Sequence, residues 1–154
     1  MWVLGEATRC ARQRVKEHDM LIVTGDINAM VRNDNWAYES VMGKHWLGQR
    51  NDSGERFCDM CDMNELVISG TLFPHKTIRK VTWVSQGGNA MNQIDHVLIS
   101  RRFRNSVKDT RVYVKVCRYR KWPPSCMYSS QVETEQANNR EEKMQGQVWY
   151  SKVD

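Results

Sequence analysis

Apolar and polar positions fall along the chain in blocks short enough to be separate elements. Between Gly5 and Lys16, the residues Ala7, Cys10, Ala11 and Val15 recur at roughly helical spacing with Arg and Glu between them, which predicts an amphipathic helix. The apolar run Met20-Leu21-Ile22-Val23 then leads into Thr24-Gly25-Asp26-Ile27-Asn28, the pattern of a buried strand, Met20–Thr24, whose end meets solvent. Residues 30–49 are polar and aromatic and read as a long loop of the kind that lines a site. Asp52 or Ser53 is placed to cap a helix running to about Asn64, and Leu66–Ser69 is the next strand. Thr82-Trp83 and Gln93–Ser100, joined through the turn Gln86-Gly87-Gly88-Asn89, predict an antiparallel pair. A further strand is predicted over Val107–Val116, where Val112, Val114 and Val116 alternate with polar or amphipathic residues.

Two places in this pattern carry candidate chemistry. Asp26 supplies a carboxylate at a strand end, able to hold a hard cation or take a proton, and Asn28 supplies both a donor and an acceptor for a phosphate oxygen. Asp and Asn are also ordinary turn formers, and that alternative applies equally here. Asp95 is the sharper signal, because a carboxylate inside the apolar run Gln93–Ser100 is costly unless it is paired, ligated or catalytic. Cys58 and Cys61 have the CxxC spacing of a metal site, but no second Cys or His pair accompanies them, so they are assigned to the core of a helix. Aromatics of the 30–49 loop, Trp36 and Tyr38, are assigned to anchoring it.

Composition narrows the setting. At 154 residues and 40% apolar content the chain is expected to be one domain, with no stretch long enough to span a membrane. The start, Met1-Trp2-Val3-Leu4, lacks a basic region followed by a long apolar one, and five cysteines form no framework, which points to an intracellular protein without resolving nucleus from cytoplasm. A net charge of +5 permits an acidic polymer as partner and equally an ordinary basic surface.

Taken together, Gly25-Asp26-Ile27-Asn28-Ala29, Asn51 to Arg56, Leu66 to Lys76, Thr82-Trp83 and Asn92 to Ser100 resemble the endonuclease/exonuclease/phosphatase family. Within it they are most similar to the endonuclease domains of non-LTR retrotransposons and to the derived proteins labelled craniofacial development protein 2-like. The likeness runs from about Arg9 to Val112. It implies an α/β fold, namely part of a four-layer α/β sandwich of the DNase I-like type. It also implies Mg²⁺-dependent attack of water on a phosphodiester, with DNA as the ancestral substrate. By the same resemblance Asp26 orients or deprotonates the water and is the one metal-binding candidate, and Asn28 contacts a phosphate oxygen. Asp95 would stand behind a catalytic histidine. By the same resemblance Thr82 is a candidate phosphate contact and Trp83 a core residue, and the basic loop His75–Lys80, especially His75 and Lys76, is a candidate grip on the nucleic-acid backbone.

Departures from the family pattern shape the functional expectation. The family carries an Asn, a metal-binding Glu and a Tyr before its Gly-Asp-x-Asn motif, and only 24 residues precede Gly25 here, so the N-terminal half is read as missing. The closing Ser-Asp-His is replaced by Val116 to Tyr128, and His96, adjacent to Asp95 and thus on the opposite face of its strand, is a poor substitute. Read one base forward, codons for Lys121 to Met127 permit Ser-Gly-His-His-Leu-Val-Cys, close to the family's Ser-Asp-His-His-Leu-Val, so residues from about Tyr113 to Ser130 are hypothesised to be translated out of the ancestral frame. The expected organisation is therefore a partial domain over 1–112, a divergent segment over 113–130 and a charged tail over 131–154, solvated or disordered. The expected function is a catalytically incomplete phosphodiesterase fragment, with strand faces left open for self-association. The alternatives are a non-catalytic nucleic-acid or protein-binding remnant using His75–Lys80 and Arg101–Arg104, and a phosphatase of the same fold.

Overall fold

The structure, a computed structural model, describes residues 2–16, 19–31, 36–48, 51–85, 89–114 and 128–134, with side chains for all of these except 2–4, 7, 113, 114 and 128–134. Helix α1 spans Trp2–Arg14, and strand β1 spans Ile22–Asp26. Helix α2 covers Asp52–Met63 and is followed by β2, Leu66–Ile68. The short strands β3, Trp83–Val84, and β4, Met91–Asn92, precede β5, Asp95–Ser100. Strands β6, Val107–Val114, and β7, Tyr128–Thr134, form a pair of their own. Three 3₁₀ turns, Ser69–Thr71, Thr77–Arg79 and Arg101–Ser106, complete the set. The architecture is mixed α/β with antiparallel sheets, and no helix among the described residues is long and apolar enough to cross a membrane.

Strand β5 is the centre of the main sheet, whose order is β1–β5–β2 with both neighbours antiparallel. Its side chains alternate between two apolar layers, as the strand period requires. On one side Leu98 joins Ile68, Leu66 and the helical residues Phe57, Cys58 and Cys61, with Val31, Val41 and Met42 from the long loop. On the other, Ile99 meets Val67 and Val107 beside Leu72 and Phe73. Cys58 and Cys61 both lie in the first layer, as the spacing argument expected, and burial pushes the Cys61 thiol well above its ordinary range. Ala11 of α1 and Val15 just after it pack on the same layer, while Arg9, Arg12 and Arg14 of the helix's basic face are exposed.

Several expectations need correction. The first strand begins two residues later than its apolar run, because Leu21 already spends its backbone on Ser100: its N–H donates to Ser100 Oγ at 3.1 Å and its carbonyl accepts from Ser100 N–H at 3.1 Å. The cap of α2 is Asn51, whose Oδ1 accepts from Gly54 N–H at 2.7 Å, and Asp52 and Glu55 instead add favourable charge to the first turn. The Thr82-Trp83 segment pairs with Met91–Asn92 and not with Gln93–Ser100, because the chain changes sheets at Gln93-Ile94. Trp83, expected in the core, is 41% exposed on this two-stranded ribbon. The turn residues Gln86, Gly87 and Gly88 and the end of the expected last strand, Lys115 and Val116, lie outside the described residues. Pairing of β6 with β7 crosses both expected domain boundaries, matching Val112 with Ser130 and Arg111 with Gln131, and carries strand structure four residues into the segment expected to be a charged tail.

Asn51 does more than cap. The same Oδ1 accepts from Met30 N–H at 3.1 Å, and Asn51 N–H donates to Met30 carbonyl at 3.3 Å, so the residue fastens the loop after β1 to the start of α2. Gly54 permits this approach, since a Cβ there would lie 1.9 Å from the Met30 carbonyl oxygen. Asn51→Ala is expected to lower stability by about 1–2 kcal/mol, as lost caps do. Gly54→Ala is expected to cost more, since backbone must move, and urea unfolding of both variants measures the order.

Candidate functional site

The register of β1 on β5 sets Asp26 directly opposite Asp95, at the end of the ladder. Beyond it Ile27 N–H still donates to Ile94 carbonyl at 3.1 Å, and the chain then turns sharply. Asn28 takes a left-handed conformation, φ 51°, which Asn tolerates better than most residues, and its N–H donates to the Asp26 carboxylate at 3.1 Å. Asp26 and Asn28 are both exposed, and the bond between them forms the turn.

Asp95 sits in a different environment. It is half-buried, and burial pushes its carboxyl above the ordinary carboxylate range, with a hydrogen bond to Thr82 pulling it back and the nearby Asp26 charge pushing it further up. Thr82 is only 4% exposed, and its Oγ1 accepts from the N–H groups of Ile94 at 2.9 Å and Asp95 at 3.1 Å. That hydroxyl therefore holds the start of β5, and the structure brings Thr82 together with Asp95, Asp26 and Asn28 while turning it inward. Asp95 also lines a small cavity with Lys80, Gln93 and Thr110.

His96 points the other way, as its adjacency to Asp95 requires. It is buried among core residues with its ring 5.0 Å from that of Phe57, and its Nε2 bonds the Ala29 carbonyl at 2.8 Å, which assigns the ring proton to Nε2. Burial lowers its pKa to about 4, outweighing the upward pull of the Ala29 bond and of Asp26. No signal in the sequence marks this anchoring role beyond a histidine within an apolar strand.

The basic loop divides. His75 pairs with the Asp109 carboxylate of β6, and Asp109 also pairs with Arg111. Lys76 and Arg79 are exposed, whereas Lys80 is 5% exposed and its ammonium donates to the carbonyls of His45 and Gly70. Burial lowers the Lys80 pKa to about 8. The Arg101–Arg104 cluster is likewise engaged. Arg101 pairs with Asp62, Arg102 donates to the carbonyls of Lys16 and Asp19, and Arg104 donates to those of Glu39 and Met42.

Comparison with known proteins gives one match in kind. The chain is similar to craniofacial development protein 2. It is 37% identical over 93 residues to craniofacial development protein 2 of Tragulus javanicus, covering 60% of this chain and 16% of that protein. With craniofacial development protein 2 of Bos taurus it shares 36% over 93 residues, covering 60% of this chain and 15% of the relative. The chain thus spans about one-sixth of the length of these craniofacial development proteins. No family model matches it, and no solved structure matches at a significant level.

A divalent cation at this turn would need an oxygen-rich site. Such an ion takes about six or more oxygen ligands, among which carboxylates carry the charge. Asp26 offers one exposed carboxylate, and Asp95 offers one that burial drives toward its neutral form. Among the described residues no group of three or more His, Cys, Asp or Glu side chains could hold a metal. Among the described residues these two carboxylates do not by themselves make up a Mg²⁺ site.

Two opposed pH effects follow. Folding raises the pKa of Asp95, so its contribution is present below the unfolded value, 3.8, and lost as pH rises through the folded one. Asp95→Asn is expected to raise Tm at pH 7 and leave it unchanged at pH 3, read by circular dichroism. Folding lowers the pKa of His96 from 6.5 to about 4, so stability present above 6.5 is lost as pH falls, by roughly 3 kcal/mol across that window. In an Asp95→Asn background, urea unfolding between pH 7 and pH 4 should show this loss. His96→Gln, which keeps a neutral donor, should abolish it.

Proposed function

We propose that this chain is part of a phosphodiesterase domain of the endonuclease/exonuclease/phosphatase type, retroelement-derived, that contacts nucleic-acid phosphates and does not cleave them alone. The observation that carries this reading is the cross-strand pairing of Asp26 with Asp95 beside the exposed Asn28 turn. In it Asn28 donates to a phosphate oxygen, Asp26 orients water beside that phosphate, and Asp95 is a supporting carboxylate. Similarity to craniofacial development protein 2 favours the narrower resemblance drawn from the sequence. The fold is then part of a DNase I-like sandwich, and further metal ligands and a general base would come from outside the described residues.

A phosphoryl-transfer site without those groups keeps positioning but lacks the main electrostatic and proton-transfer contributions. Binding rests on the exposed part of the basic loop, Lys76 above all, with DNA as the polyanion. The same incompleteness supports association with another chain or a second copy along the β1 edge of the sheet.

Purified chain with Mg²⁺ is expected not to nick supercoiled plasmid. Nicking abolished by both EDTA and Asp26→Ala would overturn the incompleteness. Fluorescence anisotropy with a labelled DNA duplex is expected to show affinity falling with salt. Lys76→Ala should reduce the slope of that dependence by about 1. Salt-independent binding would remove nucleic acid from the reading.

A further inference from the structure

The basic loop is pinned at both of its ends. After His75 come the exposed residues Lys76, Thr77, Ile78 and Arg79, and then the buried Lys80. At the first end His75 Nε2 bonds to Asp109 Oδ1 of β6, and since a carboxylate only accepts, the ring donates. Asp109 is itself buried, and its other oxygen takes Arg111, which fixes the acceptor in place. At the second end the Lys80 ammonium donates to the carbonyls of His45 and Gly70, the latter at 3.2 Å. The anchoring partners therefore lie on three separate parts of the chain: the segment 36–48, the Ser69–Thr71 turn and β6.

Between the two anchors the backbone closes on itself. Arg79 N–H donates to the Lys76 carbonyl at 2.8 Å, and the Thr77 carbonyl accepts from Lys80 N–H at 2.9 Å and from Val81 N–H at 3.0 Å. A single 3₁₀ turn is weak by itself, because its hydrogen bonds have poor geometry and each residue it fixes loses conformational entropy. The side-chain anchors supply the order that the turn lacks. One of them, His75, is also the residue that the sequence pattern offered as a grip on nucleic acid, yet its bond runs inward to β6.

We propose that His75 is a positioning residue and not a phosphate contact: through Asp109 it holds Lys76–Arg79, closed at the other end by Lys80, as a preformed turn for the nucleic-acid backbone. This assignment rests on the nucleic-acid reading above. A loop ordered before binding does not subtract its ordering entropy from the affinity. Asp109, whose charge opposes a polyanion, then favours binding through the order it imposes.

The test uses the full 154-residue chain and compares Asp109→Ala with Asp109→Asn. The two variants carry the same charge, and only Asn keeps an oxygen for His75 Nε2–H. Glu133, opposite Asp109 in the β6–β7 register, is common to both, so its charge cancels in the comparison. Amide exchange at Arg79, Lys80 and Val81, followed by NMR, is expected to be about tenfold or more faster in Asp109→Ala. Anisotropy with a labelled DNA duplex is expected to show Asp109→Ala binding about tenfold more weakly than Asp109→Asn at each salt concentration, with the same salt slope, since an ordering cost releases no counterions. His75→Ala against His75→Gln repeats the comparison from the loop side with the Asp109–Arg111 pair intact, and it decides should the β6 variants not fold. Equal exchange or equal affinity within these pairs would overturn the positioning role and leave the nucleic-acid reading standing. A native chain whose binding ignores salt would overturn both.

Discussion

The structure depends on how the segment after β1 is tied down. From Asn28 to Val31 the chain leaves the sheet, and backbone groups leaving a sheet must find other partners. Three find them in succession. The Asp26 carboxylate takes the Asn28 N–H, the buried His96 ring donates to the Ala29 carbonyl, and Asn51 both gives to and takes from Met30. The middle bond is the critical one, because it lies wholly in the core beside Phe57, where an unpaired carbonyl would keep its full desolvation cost. By fixing Ala29, it fixes where Asn28 stands, so a core histidine sets the geometry of a surface site it does not touch.

The two carboxylates of that site share a register position and little else. Asp26 is in solvent; Asp95 is half-buried beside Thr82, with its amide and that of Ile94 held by the Thr82 hydroxyl. Like charges across an antiparallel pair are destabilising unless a cation or a proton intervenes. Asp95 carries a raised pKa chiefly because it is half-buried, and the facing Asp26 charge adds to that rise.

Sequence pattern revealed the parts of this picture that depend on local chemistry. Asp95 stood out because a carboxylate in an apolar run has few benign explanations, and the helix over residues 52–63 was legible from its polar start and its apolar face. What stayed hidden depends on contacts distant in the chain. Thr82 is a candidate phosphate contact through the family resemblance, yet in the fold its hydroxyl accepts from Ile94 and Asp95, and that use switches the chain between sheets. The same resemblance places Trp83 in the core, but on the two-residue strand of the ribbon it is partly exposed. Asn51 was passed over for Asp52 and Ser53, since all three residue types cap helices and only the position of Met30 decides among them.

The net charge of +5 invites a nucleic-acid reading of the whole surface, and the hydrogen bonds narrow it. Arg102 and Arg104 donate to backbone carbonyls of segments far away in sequence, Arg12 and Arg101 pair with Glu65 and Asp62, and Lys80 holds His45 and Gly70. These cations join loops, and a guanidinium so occupied keeps its charge but has fewer N–H groups left to offer a phosphate. Long-range attraction of a polyanion survives that, whereas specific contact does not. On the proposed nucleic-acid reading, direct contact falls to the exposed basic loop around Lys76, and the arginines at the far end of β5 serve the fold.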